Sequence, residues 1–335
     1  MSLFIKNKIN TKVLTISIAA YNSEKYLSAC LDSVTNTACI DLLDIIVVDD
    51  GSSDNTCKIA DDFNKKYPNS ITVISKKNGG WGSTINTSIE FAKGKYFKVL
   101  DSDDKFRSEN IKDFIEYLSD CDTDIVLSKF ENYYIKSNSY KLIDCDKYQM
   151  HAFCIKTSVL KDNSVSITEN SYYTDVEFVL KGIKYSKSLS KYDSPIYIYT
   201  IGYDEQSISD DSFKKNIKQH FTVLENIITN DFAPMINDGN YTNYVKNVFI
   251  NRIHEMVCKH YSILFKFKPN NVNKQQILDF DSWLKNISNK YYDFYNKVRL
   301  KRVIIFRKYN FLYPVIIFFV GIRSWIYKIY SNLFQ

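Results

Sequence analysis

The chain has 335 residues, of which 45% are hydrophobic and 24% charged, and a net charge of +6. This composition excludes a disordered chain and allows one large domain with an appendage. Seven cysteines with no C-x-x-C pair and no histidine cluster exclude a zinc framework, and they predict reduced, mostly buried thiols in a cytosolic protein.

Residues 1–11 read as a lead-in, and MSLFIKNK is too short and too polar for a signal peptide. A strand over 13–20, with LTISIAA from Leu14 to Ala20, ends in Tyr21-Asn22-Ser23 and opens a helix near 24–34, with Ser23 as its predicted N-cap. A strand over 44–49 carries the run Ile45-Ile46-Val47-Val48 into Asp49-Asp50-Gly51-Ser52, and a helix near 55–66 stops at Pro68. A strand over 71–75 passes through Asn78-Gly79-Gly80 into a helix near 82–92, which ends at Gly94. A strand over 96–101 ends in Asp101-Ser102-Asp103-Asp104 before a helix near 108–118.

This alternation predicts an α/β fold with a mostly parallel, doubly wound sheet. Strand-like runs at 124–130, 131–135 and 152–156, a helix near 174–183 and a strand over 195–200 extend it. From about 211, apolar residues recur every three or four positions (Phe213, Ile217, Phe221, Leu224, Ile228), so the remainder reads as helical.

In a parallel sheet the polar strand ends converge on one edge, where open α/β sheets bind ligands. Asp101, Asp103 and Asp104 repel one another unless a cation joins them, and Mg²⁺ or Mn²⁺ takes oxygen ligands and bridges to phosphates. An acidic turn capping the next helix is the plain alternative.

Four ordered motifs carry a resemblance: Ala20-Tyr21-Asn22, then VVDDGSSDNT, then KNGGWGSTIN, then LDSDD. Over residues 12–210 the chain resembles the glycosyltransferases of family 2, which have the Rossmann-like GT-A fold. The resemblance implies a UDP-sugar donor and Mn²⁺ or Mg²⁺ on Asp103, with Asp101 reaching the metal or the ribose. It puts Ala20, Tyr21, Asn22, Asp50, Lys77, Asn78, Asn86, Asp101 and Ser102 on the donor. Tyr21 would stack on the base and Asp50 would accept from the uracil N3–H. Lys77 and Asn78, beside the glycine pair, would approach the diphosphate. Asn86 matches a family asparagine, although the arginine usually before it is Ile85 here.

The stretch ENSYYTDVEF resembles the acidic pair that opens a helix in this family, with Thr174 in place of the usual glutamate. Asp175 keeps the role of base toward the acceptor hydroxyl, and Glu177 faces away from it. Trp81, His151 and Gln206 are candidates for the acceptor side. The implied reaction is one displacement with inversion. IYTIGYDEQS lacks Q-x-x-R-W, which predicts single additions rather than polymerisation. The other readings are a nucleotidyltransferase and a non-catalytic binding module.

All of the basic excess lies at the C-terminus. Residues 294–335 hold eight Lys/Arg and no Asp/Glu, which leaves the first 293 residues at −2. The same segment carries FLYPVIIFFVGI, twelve residues where a spanning helix needs ~20. A basic, aromatic and apolar segment suits the surface of an anionic membrane. Packing on the domain is the alternative, and nucleic acid is disfavoured. The predicted organisation is therefore a catalytic domain over 12–210, a helical region over 211–296 and a basic amphipathic tail over 297–335. The predicted location is cytoplasmic, peripheral on the inner membrane face. The predicted acceptor is a lipid-linked saccharide or a cell-surface polymer such as capsule, teichoic acid or lipopolysaccharide.

Overall fold

A computed structural model describes residues 12–144, 148–203 and 210–319. Gln206, residues 1–11 and the end of the tail from 320 lie outside the described residues. The chain forms two compact units, Met1–Gln206 and Ser207–Gln335.

Among the described residues the first unit is built on nine strands. They are β1 (Leu14–Ala20), β2 (Leu43–Asp49), β3 (Ile71–Ser75), β4 (Tyr96–Asp101), β5 (Lys105–Phe106), β6 (Ile125–Tyr134), β7 (Ser139–Ile143), β8 (Phe153–Lys156) and β9 (Leu189–Ile201). The order across the sheet is β3-β2-β1-β4-β8-β6-β9-β5, with β7 pairing residues 130–134 of β6, beyond the stretch that pairs β8. β3, β2, β1 and β4 are parallel, as the alternation predicts. Beyond β4 the sheet becomes mixed, because β8 runs antiparallel to both β4 and β6. β6 and β9 are again parallel. The runs at 124–130 and 131–135 are one strand, β6, with its register shifted near Lys129.

β2 is buried along its whole length, which is why its centre, Ile45-Ile46-Val47-Val48, reads as an apolar run. The polar residues of buried β1 are paired: Thr15 donates to Asp44 at 2.8 Å and Ser17 to Ser88 at 2.7 Å.

Among the described residues six helices cover the sheet: α1 (Leu27–Thr35), α2 (Thr56–Lys66), α3 (Trp81–Phe91), α4 (Ser108–Asp120), α5 (Thr157–Asp162) and α6 (Thr174–Tyr185). They fall into two packed sets, α1 with α2 and α4, and α3 with α5 and α6, as in a sheet with helices on both faces. α3 lies so close to the segment before α6 that a Cβ on Gly82 would sit 2.2 Å from the Thr168 carbonyl. Ser23 does not cap α1. The helix begins after Tyr26, and the Ser23 hydroxyl turns to Tyr21 O and Ser102 instead. Of the six described cysteines, all free, Cys30 and Cys154 are buried and the others are half-buried.

The second unit is helical, as the spacing predicts. α7 (Asp210–Lys215) and α8 (Ile217–Asn226) lead through a π-helical turn, Ile227–Phe232, into α9 (Ala233–Ile236). α10 (Asn243–Leu264), α11 (Asn271–Lys290), α12 (Phe294–Lys297) and α13 (Lys301–Lys308) follow. Thr242, Asn270 and Asp293 cap α10, α11 and α12 through their side-chain oxygens. The segment from α13 to residue 319 is apolar on two sides. Val303, Phe306, Tyr313 and Ile316 are buried, whereas Ile304, Ile305, Phe311, Val315, Phe318 and Phe319 are exposed. Among the described residues no helix is long and apolar enough to cross a membrane.

Candidate active site

The ends of β1, β2 and β4 bring Tyr21, Asp50 and Asp101 to one edge of the sheet. Tyr21 is 54% exposed, so its ring is open to a planar ligand. Its neighbours act within the edge itself. Asn22, in the left-handed region at φ 48°, receives the Ser53 N–H on its side-chain oxygen at 2.9 Å and donates its own N–H to Ser52. The Ala20 carbonyl accepts the Asp50 N–H at 2.9 Å. Ser102 is buried and shares a hydrogen bond with Ser23 at 2.7 Å.

Asp50 has a different task from the predicted contact with uracil. Its two carboxylate oxygens accept the Gly79 N–H at 2.9 Å and the Gly80 N–H at 2.8 Å, and Lys76 pairs with it at 3.3 Å. It is 2% exposed, so its charge is committed to the turn that starts α3. Gly80 is in the left-handed region at φ 79°, where a side chain would strain the backbone. Lys76, which the sequence does not distinguish from Lys77, is the lysine held inside this turn, where it also bonds Ser83 and the Lys77 carbonyl. Lys77 and Asn78 are exposed beside it.

Asn86 is likewise occupied. It accepts the Ile167 N–H at 2.7 Å and donates to the Ile167 carbonyl and to Glu169, so it fastens residues 167–169 rather than facing a diphosphate. Glu177 fastens the same segment from α6. It is buried and accepts from the Thr168 N–H and hydroxyl and from Lys181.

The acidic loop after β4 is the electrostatic centre. Asp101 accepts the Trp81 indole N–H at 2.9 Å, and its backbone N–H donates to the Tyr197 hydroxyl at 3.1 Å. Burial, then the charge of Asp103, pushes the Asp101 carboxyl up to about 7, and Asp175 adds to the same repulsion. Asp104 is buried between the Tyr197 hydroxyl at 2.6 Å and the Thr200 N–H at 2.7 Å. Burial and the charges of Asp103 and Asp101 raise its carboxyl as well. Asp175 stands exposed in the first turn of α6. Trp81 therefore ties α3 to the acidic loop and also meets Phe178 of α6 edge-on at 6.3 Å.

His151 joins this cluster. Carboxylate oxygens of Asp101 and Asp104 and a His151 ring nitrogen all lie within 4.8 Å of one another. The His151 Nδ1 is shielded from solvent and has no hydrogen-bond partner among the described residues. Burial, helped by the charge of Lys98, lowers its pKa to about 3, so the ring is neutral and able to act as a ligand at physiological pH. Lys98 itself is fully buried and donates to the His151 and Phe153 carbonyls at 2.7 and 3.3 Å. Sequence reasoning passed over Lys98, whose only signal is a charge inside an apolar strand. Clustered carboxylates beside an orphaned imidazole nitrogen form a set of donors that fits a divalent cation.

Residues 15–171 match the family described as Glycosyl transferase family 2. The poly(ribitol-phosphate) beta-glucosyltransferase of Bacillus spizizenii is 29% identical over 211 residues, 58% of this chain, and the chain spans about a third (33%) of that relative. Among solved structures, residues 1–349 of S. aureus TarS in complex with UDP-GlcNAc align over 90% of this chain and 88% of that one, at a TM-score of 0.58 and 17% identity. The mannosyltransferase PcManGT from Pyrobaculum calidifontis, in complex with GDP-Man and Mn²⁺, aligns over 93% and 87%, at 0.53 and 12% identity. These two likenesses agree with the fold. With its motifs, its sheet and this family match, the chain carries a family 2 glycosyltransferase domain of the GT-A fold over residues 15–171.

Proposed function

We propose that the protein transfers a hexose or N-acetylhexosamine from a UDP-sugar, with inversion, to a hydroxyl of a lipid-linked saccharide or cell-surface polymer. The observation that carries this reading is the meeting of Asp101, Asp103 and Asp175 in one electrostatic cluster at the strand ends, walled by Trp81. The relative that acts on poly(ribitol phosphate) and the neighbour with UDP-GlcNAc support the donor and acceptor classes.

In this reading Tyr21 stacks on the base, and Lys77 and Asn78 lie toward the diphosphate. Asp175 takes the proton of the acceptor hydroxyl as its oxygen bonds to the anomeric carbon. The bond from that carbon to the diphosphate breaks, and UDP leaves with its electron pair. Asp175 sits at a positive helix end and is exposed, so the bound acceptor supplies the desolvation that a base requires. Asp101 and Asp103, with Asp104 and His151 beside them, would hold Mn²⁺ or Mg²⁺. When bound, the cation neutralises charge on the departing diphosphate. The exposed apolar side of residues 301–319, with Lys301 and Lys308, supports a peripheral place on an anionic membrane face.

The test is donor hydrolysis with Mn²⁺ and a panel of UDP-, GDP- and dTDP-sugars, with Asp103→Ala as control. Release of UDP from one sugar, lost in the variant, supports the reading. Pyrophosphate as product would instead indicate a nucleotidyltransferase. Absence of both turnover and UDP binding would leave a module without this chemistry.

A further inference from the structure

The sheet face that carries the acidic cluster continues beyond it. Residues paired directly across strands share a face. The register sets Tyr197 beside Phe130, Tyr199 beside Asn132 and Ile201 beside Tyr134, and Lys141 pairs with Asn132 from β7. The His151 ring lies over this face, its centroid 4.8 Å from Tyr197, 4.4 Å from Tyr199 and 5.2 Å from Phe130. Because the Tyr197 hydroxyl donates to Asp104, the strip starts at the carboxylates. From Tyr197 to Ile201 it extends about 14 Å at ~3.4 Å per residue.

Asn132 is the unexplained residue of this strip. Its Oδ1 is shielded from water and has no hydrogen-bond partner among the described residues. Its Nδ2 makes one long bond, 3.4 Å, to the Tyr134 hydroxyl. Native structures rarely leave a buried acceptor empty, and each such atom calls for a reason. His151, Tyr199, Asn132 and Tyr134 are all half-buried, so part of each side chain is open, and a turn of the Asn132 amide about its last side-chain bond brings the covered Oδ1 to a ligand.

We propose that this strip is the subsite for the acceptor, taking a polyhydroxylated unit that donates a hydroxyl to Asn132 Oδ1. The C–H face of such a unit packs on the Tyr134 ring and on the part of Tyr199 that His151 leaves open, and its next hydroxyl lies toward Asp175. The proposal rests on the transferase reading above and adds where and by what chemistry the acceptor is held. A neutral oligosaccharide and an alditol-phosphate chain share this chemistry. Lys141, exposed on the same row, favours the phosphate-bearing one.

The experiment uses the full chain, wild type and Asn132→Leu, with two probes: a ribitol-phosphate pentamer and chitotetraose. Saturation-transfer NMR reads binding without donor. The leucine keeps the shape and removes the unsatisfied oxygen, so the thermal midpoint stays level or rises while affinity for the bound probe falls at least tenfold. Stronger binding of the pentamer assigns the phosphate-bearing source, and stronger binding of chitotetraose the neutral one. No saturation of either probe by the wild type, or undiminished binding by Asn132→Leu, overturns the subsite. A separate calorimetric titration of the wild type with UDP and Mn²⁺ addresses the transferase reading. Probe binding without UDP binding would reject that reading and leave the strip standing.

Discussion

The Trp81 indole N–H reaches the Asp101 carboxylate at 2.9 Å, joining the first residue of a helix to the last residue of a strand 20 positions away. This bond opposes the rise in the Asp101 pKa caused by burial and by Asp103. Trp81→Phe keeps a ring against Phe178 and removes the donor. The carboxyl then holds its proton to higher pH, and a cation must compete with that proton. With the native pKa at about 7, Mn²⁺-dependent UDP binding by the variant should fall roughly tenfold at pH 6.5 and much less at pH 8.5. Calorimetry at the two pH values checks this, and an equal loss at both would refute it.

Asp50 holds two amides and a lysine in a site that is 2% exposed. Removing its carboxylate leaves the Gly79 and Gly80 N–H groups unpaired, at ~1–3 kcal/mol each. Asp50→Ala should therefore destabilise the protein by about 2–5 kcal/mol in urea unfolding. Asp50→Asn, which keeps one acceptor, should cost less. Equal stability of Asp50→Ala and wild type would show that the turn does not depend on this anchor.

That anchor also marks how far the sequence is readable. Strand ends such as Val47-Val48-Asp49-Asp50 were legible because burial on both faces writes an apolar run and a turn writes a polar break. The partners of Asp50 were not, since Gly79 and Gly80 lie 29 and 30 positions away and nothing local names them. The same holds for Asn86, whose amide meets a segment 81 residues later. β7 escaped notice because four of its five residues are exposed and it follows no apolar rhythm. The first half of β9, Leu189–Ser194, is mixed and partly exposed, so only its apolar end reads as a strand. The convergence of Asp101 with Asp175 needed only the expected topology and the family motifs.

The second unit contains a buried histidine pair, His220 and His260, with Nδ1 atoms 3.2 Å apart and rings stacked at 5.3 Å. Burial lowers the His220 pKa to about 4, aided by the charge of Lys259, and burial with His220 holds that of His260 well below the usual imidazole range. The unfolded chain takes up these protons first, so this contribution is complete above the unfolded value of 6.5 and is lost as pH falls toward 4. Urea midpoints should drop from pH 7.5 to pH 5. In His260→Phe, which fits against Phe280 at 4.2 Å, the drop should be clearly smaller. An unchanged slope would locate the acid sensitivity elsewhere.

The outward face of residues 311–319 offers Phe311, Phe318 and Phe319 to solvent. If it lies on an anionic bilayer, Phe318→Ser/Phe319→Ser should weaken co-sedimentation with phosphatidylglycerol vesicles at least tenfold, with little change in thermal midpoint. Lys301→Glu/Lys308→Glu should do the same and make the residual binding less sensitive to salt. Vesicle binding that survives both changes would reject this face as the contact.

The clamp on Asp104 sets an order of events during synthesis. Its partners Tyr197 and Thr200 follow it by 93 and 96 residues, so the loop emerges from the ribosome long before anything can hold it. β1 to β4 can pair while three carboxylates still repel one another unrestrained. The late, long-range pairing of β6 with β9 then fastens them, and loop closure over such separations is slow. A chain stalled before residue 197 therefore carries β1 to β4 without the clamp on Asp104.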